Sequence, residues 1–306
     1  MISRPTLQKL RRRSWENIIE SWVSSSPTID IVGGKPDPGV SNLELQIQDA
    51  DPKQEDWRGA TPPGLRANVL LESIYLAHKS GHLLRASEMH GRHGMNTWAL
   101  VSAYHSAFVG AKSILGLQGV FLTEYKSRPV ILDLFPEEER SRPRKRPQSI
   151  SKLSGDFKAD EVALIFYATN EAHRALWLIF ERVLNITSSL PCSQNMLASL
   201  KSVDWQNVSR PRNHLIYRNK YWPYDDLHYP CSNIKFCRKH LRDIEKNGLS
   251  ADDEDFLFML ALIIFHYCQL LLEDIGKELS AIKLEHDLLI GGERITENQY
   301  YFRMIS

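Results

Sequence analysis

The sequence predicts a mostly α-helical protein, built as a helical bundle with a small β-hairpin insertion. Apolar residues recur at helical spacing over several long segments, and the longest apolar run covers residues 256–272. Strand-like composition concentrates in residues 120–125 and 130–135, which a charged turn with Pro129 separates. We therefore expect a β-hairpin within residues 120–135 and helices through most of the remaining chain.

Residues 1–60 are predicted to form an N-terminal extension. They begin with a basic amphipathic helix whose apolar stripe includes Trp15, Ile18 and Trp22, and they continue into a stretch rich in glycine and proline. Residues 61–306 are predicted to form the helical domain. The extension is expected either to dock on this body or to bind a partner protein.

Helix-start and helix-stop residues divide the domain into its predicted elements. Asn96 is predicted to cap the second long helix, Gly119 to end it, and Ser209 to cap the helix that follows it. Residues 136–158 form a basic linker, and residues 294–305 are expected to add an edge strand. In chain order, the predicted helices cover residues 64–90, 97–117, 160–185, 192–203, 210–222, 232–246 and 252–285.

Composition limits the functional classes. The chain has 306 residues, a formal net charge of +1, 42% hydrophobic residues and 25% charged residues, which is typical of a globular protein with a sizeable core. This net charge excludes a protein that coats nucleic acid through its global charge, so any such contact must come from local basic patches. The four cysteines lack paired spacing, and the apolar run over 256–272 is shorter than the roughly 20 residues that span a bilayer. We expect a cytoplasmic protein that does not cross a membrane.

The stretch richest in reactive side chains is residues 210–222, which reads Arg-Pro-Arg-Asn-His-Leu-Ile-Tyr-Arg-Asn-Lys-Tyr-Trp. Arg210, His214 and Arg218 recur every fourth position, so they share one face of the predicted helix. Guanidinium groups bind phosphate through charge-assisted hydrogen bonds, and histidine transfers protons near neutral pH. The stretch is therefore the candidate site for a phosphate-bearing ligand.

A second pattern lies in the helix predicted over residues 97–117. It reads Tyr104-His105-Ser106-Ala107-Phe108, followed by Ala111-Lys112-Ser113-Ile114-Leu115. This pattern resembles a core helix of HEPN domains, in which Tyr-x-x-x-Phe-x-x-Ala-Lys-x-Leu-Leu is common, with Ile114 in place of the first leucine. The order of helices over residues 64–285, including a short polar helix with Arg-Asn, is also similar to that family.

The resemblance implies a compact helical bundle, often a homodimer. It also implies either a metal-independent ribonuclease of a bacterial defence or toxin–antitoxin system, or a non-catalytic binding module. The family's ribonuclease motif is an arginine followed by a polar residue, with a histidine after four to six intervening positions. Arg212 and Asn213 match the start of this motif, whereas Tyr217, Arg218 and Asn219 occupy the three positions expected for the histidine.

These observations give a set of hypotheses for the site. Neither a metal nor another cofactor is expected. One hypothesis is that the site cleaves RNA. The alternatives to cleavage are RNA binding without catalysis, and a structural role in which Arg218 and Asn219 cap loops and pair with Asp225 and Asp226. The candidate catalytic residues are Arg212, His214 and Tyr217. The candidate residues for RNA or phosphate binding are Arg210, Asn213, Arg218 and Asn219.

A competing hypothesis is a non-catalytic assembly subunit. It would bind a partner protein through the N-terminal extension or the C-terminal helix. His105, His173 and His266 each fall in the middle of a predicted helix, where a lone histidine is more often a satisfied bundle residue than a ligand. Convergence of these histidines with His214 in one cleft would instead indicate a functional site.

Overall fold

The structure, a computed structural model, describes residues 2–24, 56–61, 65–125, 128–136, 161–167, 172–211, 213, 244, 249 and 256–279. Within them the protein is mostly α-helical with a small antiparallel sheet, which confirms the predicted fold class. In chain order the elements are α1 (Arg4–Gln8), β1 (Arg13–Ser14), α2 (Trp15–Ser24), β2 (Asp56–Ala60), α3 (Leu65–Arg92), α4 (Asn96–Leu117), β3 (Val120–Tyr125), β4 (Arg128–Asp133), β5 (Glu161–Phe166), α5 (Ala172–Ile186), β6 (Thr187–Ser188), α6 (Gln194–Ser202) and α7 (Phe256–Glu278).

Helices α3 and α4 form a closely packed antiparallel hairpin at the centre of the core. Ser80 Oγ donates to the Ser106 carbonyl at 2.9 Å, and Ser106 Oγ donates to the Ser80 carbonyl at 2.8 Å. Towards one end of the hairpin, Ser113 Oγ donates to the Ser73 carbonyl at 2.7 Å; towards the other, Ser87 Oγ donates to a carbonyl of α4. These serines are buried, and small side chains of this kind let two backbones approach closely while each hydroxyl keeps an acceptor.

Helix α7 packs against both helices of this hairpin. By length and composition it is long and apolar enough to cross a membrane, but 83% of its most apolar window is buried inside the fold. The contact is tight at Gly110 of α4, where an added Cβ would lie 2.8 Å from Ile264 Cγ2 of α7. In this structure α7 is therefore a central helix of the bundle.

The sheet is larger than the predicted hairpin. Strands β3 and β4 form that hairpin as an antiparallel pair, and β5 and β2 extend the sheet in the order β2-β5-β4-β3. The prediction of one helix over residues 160–185 is wrong in its first part, because residues 161–166 form β5 between β4 and β2. A short apolar run such as Val-Ala-Leu-Ile-Phe fits a buried strand as well as a buried helix, so periodicity does not distinguish the two.

The described part of the N-terminal segment docks on the body. Arg13 makes a buried ion pair with Asp133 at the end of β4, with Arg13 Nη2 2.8 Å from Asp133 Oδ2. The indole N–H of Trp22 donates to the carbonyl of Leu117 at 2.9 Å, and that of Trp15 donates to a carboxylate of α7 at 2.7 Å. Because both tryptophans are buried, α2 is part of the core.

The two ends of α4 differ in how well they match the prediction. Gly119 has a φ of +75°, which suits its predicted place at the end of α4. Asn96 is not a cap: it is buried in the first turn of α4, and Met95 holds the cap position without a side-chain hydrogen bond. The predicted linker beyond residue 136, the helix over 232–246 apart from residue 244, and the strand over 294–305 lie outside the described residues.

Candidate functional site

The structure describes only the beginning of the predicted site. A helical turn starts at Ser209, one residue earlier than predicted, and carries Arg210 with its side chain exposed. Within the described part of the chain, Arg210 makes no ion pair, so its guanidinium faces solvent there. Asn213 is helical and exposed. The other predicted site residues lie outside the described residues, namely Arg212, His214, Tyr217, Arg218 and Asn219.

The chain that leads into Ser209 is anchored by aromatic packing. Trp205 is buried and stacks on Trp177 of α5, with 5.4 Å between the ring centroids and 25° between the ring planes. The indole N–H of Trp205 also donates to the Leu200 carbonyl at 3.1 Å. Because Val208 is buried as well, the backbone is held in place directly before the Arg210 segment begins.

Tyr104 of α4 links this segment to α5. Its hydroxyl lies 2.9 Å from Nδ1 of His173, at the start of α5, and it donates to Ser209 Oγ at 3.3 Å. The indole N–H of Trp177 donates to the same hydroxyl at 3.3 Å. The Tyr104 side chain is fully buried, so one hydroxyl group joins α4, α5 and the first residue of the helical turn that carries Arg210.

An aromatic and cationic cluster continues from this network along α4. Phe108, one turn beyond Tyr104, stacks on His173 with 4.2 Å between the ring centroids. The ammonium group of Lys112 lies 5.3 Å from the centroid of the Phe108 ring. Burial lowers the pKa of Lys112 below its ordinary value; Glu72 opposes this shift. Tyr104, Phe108 and Lys112 thus lie on one face of α4, and Tyr104 and Phe108 contact His173.

Of the three mid-helix histidines, the structure ties His173 to the predicted site. His105 contacts the Tyr104 ring edge-on, at 5.7 Å between centroids, and His266 lies on α7. Sequence reasoning named His173 only as one of three mid-helix histidines and did not link it to Tyr104, because the two lie 69 positions apart and share no motif. The available signal was the joint presence of the Tyr104 pattern and a histidine on a separate helix.

The described residues contain no group of three or more histidine, cysteine, aspartate or glutamate side chains that could hold a metal ion. Comparison with protein-family models, with curated proteins and with solved structures found no match for this chain.

Proposed function

We propose that the protein is a HEPN-like, RNA-binding protein of a bacterial defence or toxin-type system, and that it cleaves RNA without a metal ion. The observation that supports this proposal is the hydrogen bond from Tyr104 to Ser209. It places the start of the Arg210 segment against the helix that carries the HEPN-like pattern, beside His173. The hydrogen bond thus joins the first turn of the Arg210 segment to the helix whose pattern resembles HEPN domains.

The proposed chemistry is electrostatic and acid–base. Arg210 and Arg212 would hold the phosphate and stabilise the charge that develops on it, because guanidinium groups match phosphate oxygens through paired N–H donors. His214 would transfer a proton, and Tyr217 and Asn213 would donate hydrogen bonds to the same phosphate. Arg218 and Asn219 would extend the RNA contact along the helix. A homodimer would place two such segments across one cleft.

A nuclease assay in the presence of a metal chelator tests this proposal. We expect the wild-type protein to cleave single-stranded RNA, and we expect the Arg212→Ala and His214→Ala variants each to lose about 10²-fold or more in rate. Arg85→Ala is a matched control, since Arg85 on α3 also stands four intervening positions before a histidine. Absence of cleavage by the wild type, or equal loss in the control, would contradict the proposal.

The competing assembly role receives less support. A partner protein was expected to bind the N-terminal extension or the C-terminal helix, and α2 and α7 are their described parts. The apolar faces of both helices are buried against the protein's own core. Neither helix therefore offers an apolar docking face in the described part of the chain. A stable complex with a second protein that survives removal of RNA would favour the assembly role.

A further inference from the structure

The hairpin of α3 and α4 carries a local excess of positive charge. Residues 73–123 hold four lysines and arginines against one acidic residue, Glu88, so their formal net charge is +3 in a chain whose net charge is +1. Glu88 is buried and pairs with Arg92, one helical turn away. A chain of this composition can bind nucleic acid only through a local basic surface, and the hairpin supplies one.

Trp98, in the first turn of α4, is an exposed tryptophan in a protein that buries others of its kind. Its exposed fraction is 48%. Four other tryptophans whose side chains the structure describes are at most 2% exposed, namely Trp15, Trp22, Trp177 and Trp205. A flat ring with about half of its surface in solvent is available to stack on a ligand.

Trp98 and Lys112 share one face of α4. They are fourteen residues apart, which is close to four helical turns and places them about 21 Å from each other along the helix axis. Ser102, one turn after Trp98, has its Oγ 3.3 Å from Nδ1 of His90, so α3 borders the same face. At the far end, Lys79 of α3 is near enough to act electrostatically on Lys112. We call the surface formed by these five residues the hairpin face.

The hairpin face connects to the turn that carries Arg210. The ammonium group of Lys112 lies 5.3 Å from the centroid of the Phe108 ring, and Phe108 stacks on His173 at 4.2 Å between centroids. His173 and Ser209 both contact the hydroxyl of one tyrosine, which joins them in a single group. A continuous series of contacts therefore leads from the first turn of the Arg210 segment to the lysine end of the hairpin face.

We propose that the hairpin face is a second RNA subsite, at which one unpaired base stacks on Trp98 while Lys79 and Lys112 contact phosphates. This inference rests on the proposed function, and it adds that the RNA is single-stranded. Stacking on an aromatic side chain requires a base that is free of its own neighbours, as in a single strand. A membrane-binding helix would instead present a wide apolar face, whereas the apolar residues of α4 are mostly buried in the core.

The anisotropy of a fluorescein-labelled 2′-O-methyl oligouridylate tests the stacking contact. The methyl group blocks cleavage through the 2′-hydroxyl, so binding is measured apart from catalysis. Trp98→Ala should weaken binding by about 10-fold or more, with an unchanged salt dependence, because stacking neutralises no phosphate. Trp98→Phe should keep most of the affinity, and Trp98→Leu, which lacks a flat ring, should not. Val23→Ala is the matched control, since Val23 is an exposed apolar residue of α2.

The salt dependence of the same binding tests the phosphate contacts. The variant with both Lys79→Gln and Lys112→Gln should have a logarithmic slope shallower by about 1.4, which is about 0.7 for each phosphate. Lys79 is exposed, so Lys79→Gln alone should give half of this change without disturbing the fold. Lys201→Gln, at an exposed position of α6, is the matched control. Arg85 lies about 120° around α3 from Lys79, off the hairpin face, so its removal should not change the slope.

The outcomes separate this inference from the proposed function. If the variant with Arg210→Ala and Arg212→Ala binds weakly while the Trp98 and lysine variants match the wild type, only the hairpin face fails. If the Trp98 and lysine variants bind weakly while the arginine variant matches the wild type, the hairpin face stands and the role of the Arg210 segment fails. A wild type that does not bind the oligouridylate would overturn both. Equal affinity for a duplex RNA of the same length would overturn the stacking contact.

Discussion

Replacing Gly116 of α4 with alanine should destabilise the protein, even though alanine is the better helix former. A Cβ at this position would lie 2.0 Å from Ser73 Oγ, 3.1 Å from Ser73 Cβ and 3.3 Å from Phe121 Cδ2. Ser73 is fully buried in α3, and its hydroxyl donates to the Val69 carbonyl at 2.6 Å. The new methyl group therefore forces either a rotation of Ser73 or a separation of α3 and α4.

The expected change in the free energy of unfolding is the sum of opposing effects. Overpacking a core contact costs about 1–3 kcal/mol, and a lost buried hydrogen bond adds about 1 kcal/mol. The higher helix propensity of alanine offsets about 1 kcal/mol of this sum. We therefore expect Gly116→Ala to lower the free energy of unfolding by about 1–3 kcal/mol, measured by urea denaturation followed by circular dichroism. Gly81→Ala should cost less, because its Cβ would meet only the Phe265 ring, at 3.0 Å.

A double-mutant cycle tests whether the clash with Ser73 Oγ causes the loss of stability. Ser73→Ala removes the clashing oxygen and leaves the milder contacts with the Cβ of residue 73 at 3.1 Å and with Phe121 Cδ2 at 3.3 Å. In that background Gly116→Ala should be close to neutral, which corresponds to a coupling of about 1–3 kcal/mol. The reasoning is refuted if Gly116→Ala matches the wild type in stability, or if it costs the same with serine or alanine at position 73.

Three further predictions concern buried charges and thiols. Asp133→Ala leaves Arg13 charged and buried, so we expect a loss of about 3–5 kcal/mol in unfolding free energy, most of which an additional Arg13→Met change should restore. Burial and the charge of Asp204 raise the pKa of Glu181. The stability that this group contributes is therefore present below its ordinary pKa of 4.5, and it is lost as the pH rises through the pKa of Glu181 in the folded protein. Glu181→Gln should therefore raise the melting temperature near neutral pH but not below 4.5, and a rise of equal size at both pH values would contradict this. Burial raises the pKa of Cys268 to about 12, so thiolate-selective reagents should label it only after unfolding, and rapid native labelling would contradict its burial.

Local sequence patterns predicted the elements whose cause is local. The long helices α3, α4 and α7 follow from apolar periodicity, and the β3–β4 hairpin follows from two strand-like segments around a turn. Gly119 ends α4 because its backbone adopts a positive φ, which glycine tolerates. Each of these features depends on residues that are near one another in the chain.

The features that sequence reasoning missed depend on distant contacts. Strand β5 exists because β4 and β2 pair with both of its edges, and no local pattern separates it from a helix. Asn96 is buried in the first turn of α4 instead of serving as its cap. Within the candidate site, Tyr104 meets His173 and Ser209 across 69 and 105 positions, so only the folded chain brings them together.

The salt dependence of RNA binding tests the central claim most directly. Single-stranded RNA held by arginine–phosphate contacts should bind more weakly as salt rises, with a logarithmic slope of about −0.7 for each phosphate neutralised. We expect the variant with both Arg210→Ala and Arg212→Ala to bind more weakly and to have a shallower slope by about one unit or more, while Arg85→Ala keeps the wild-type slope. Equal affinity and equal slope for wild type and the double variant would contradict the claim that the Arg210 segment holds RNA.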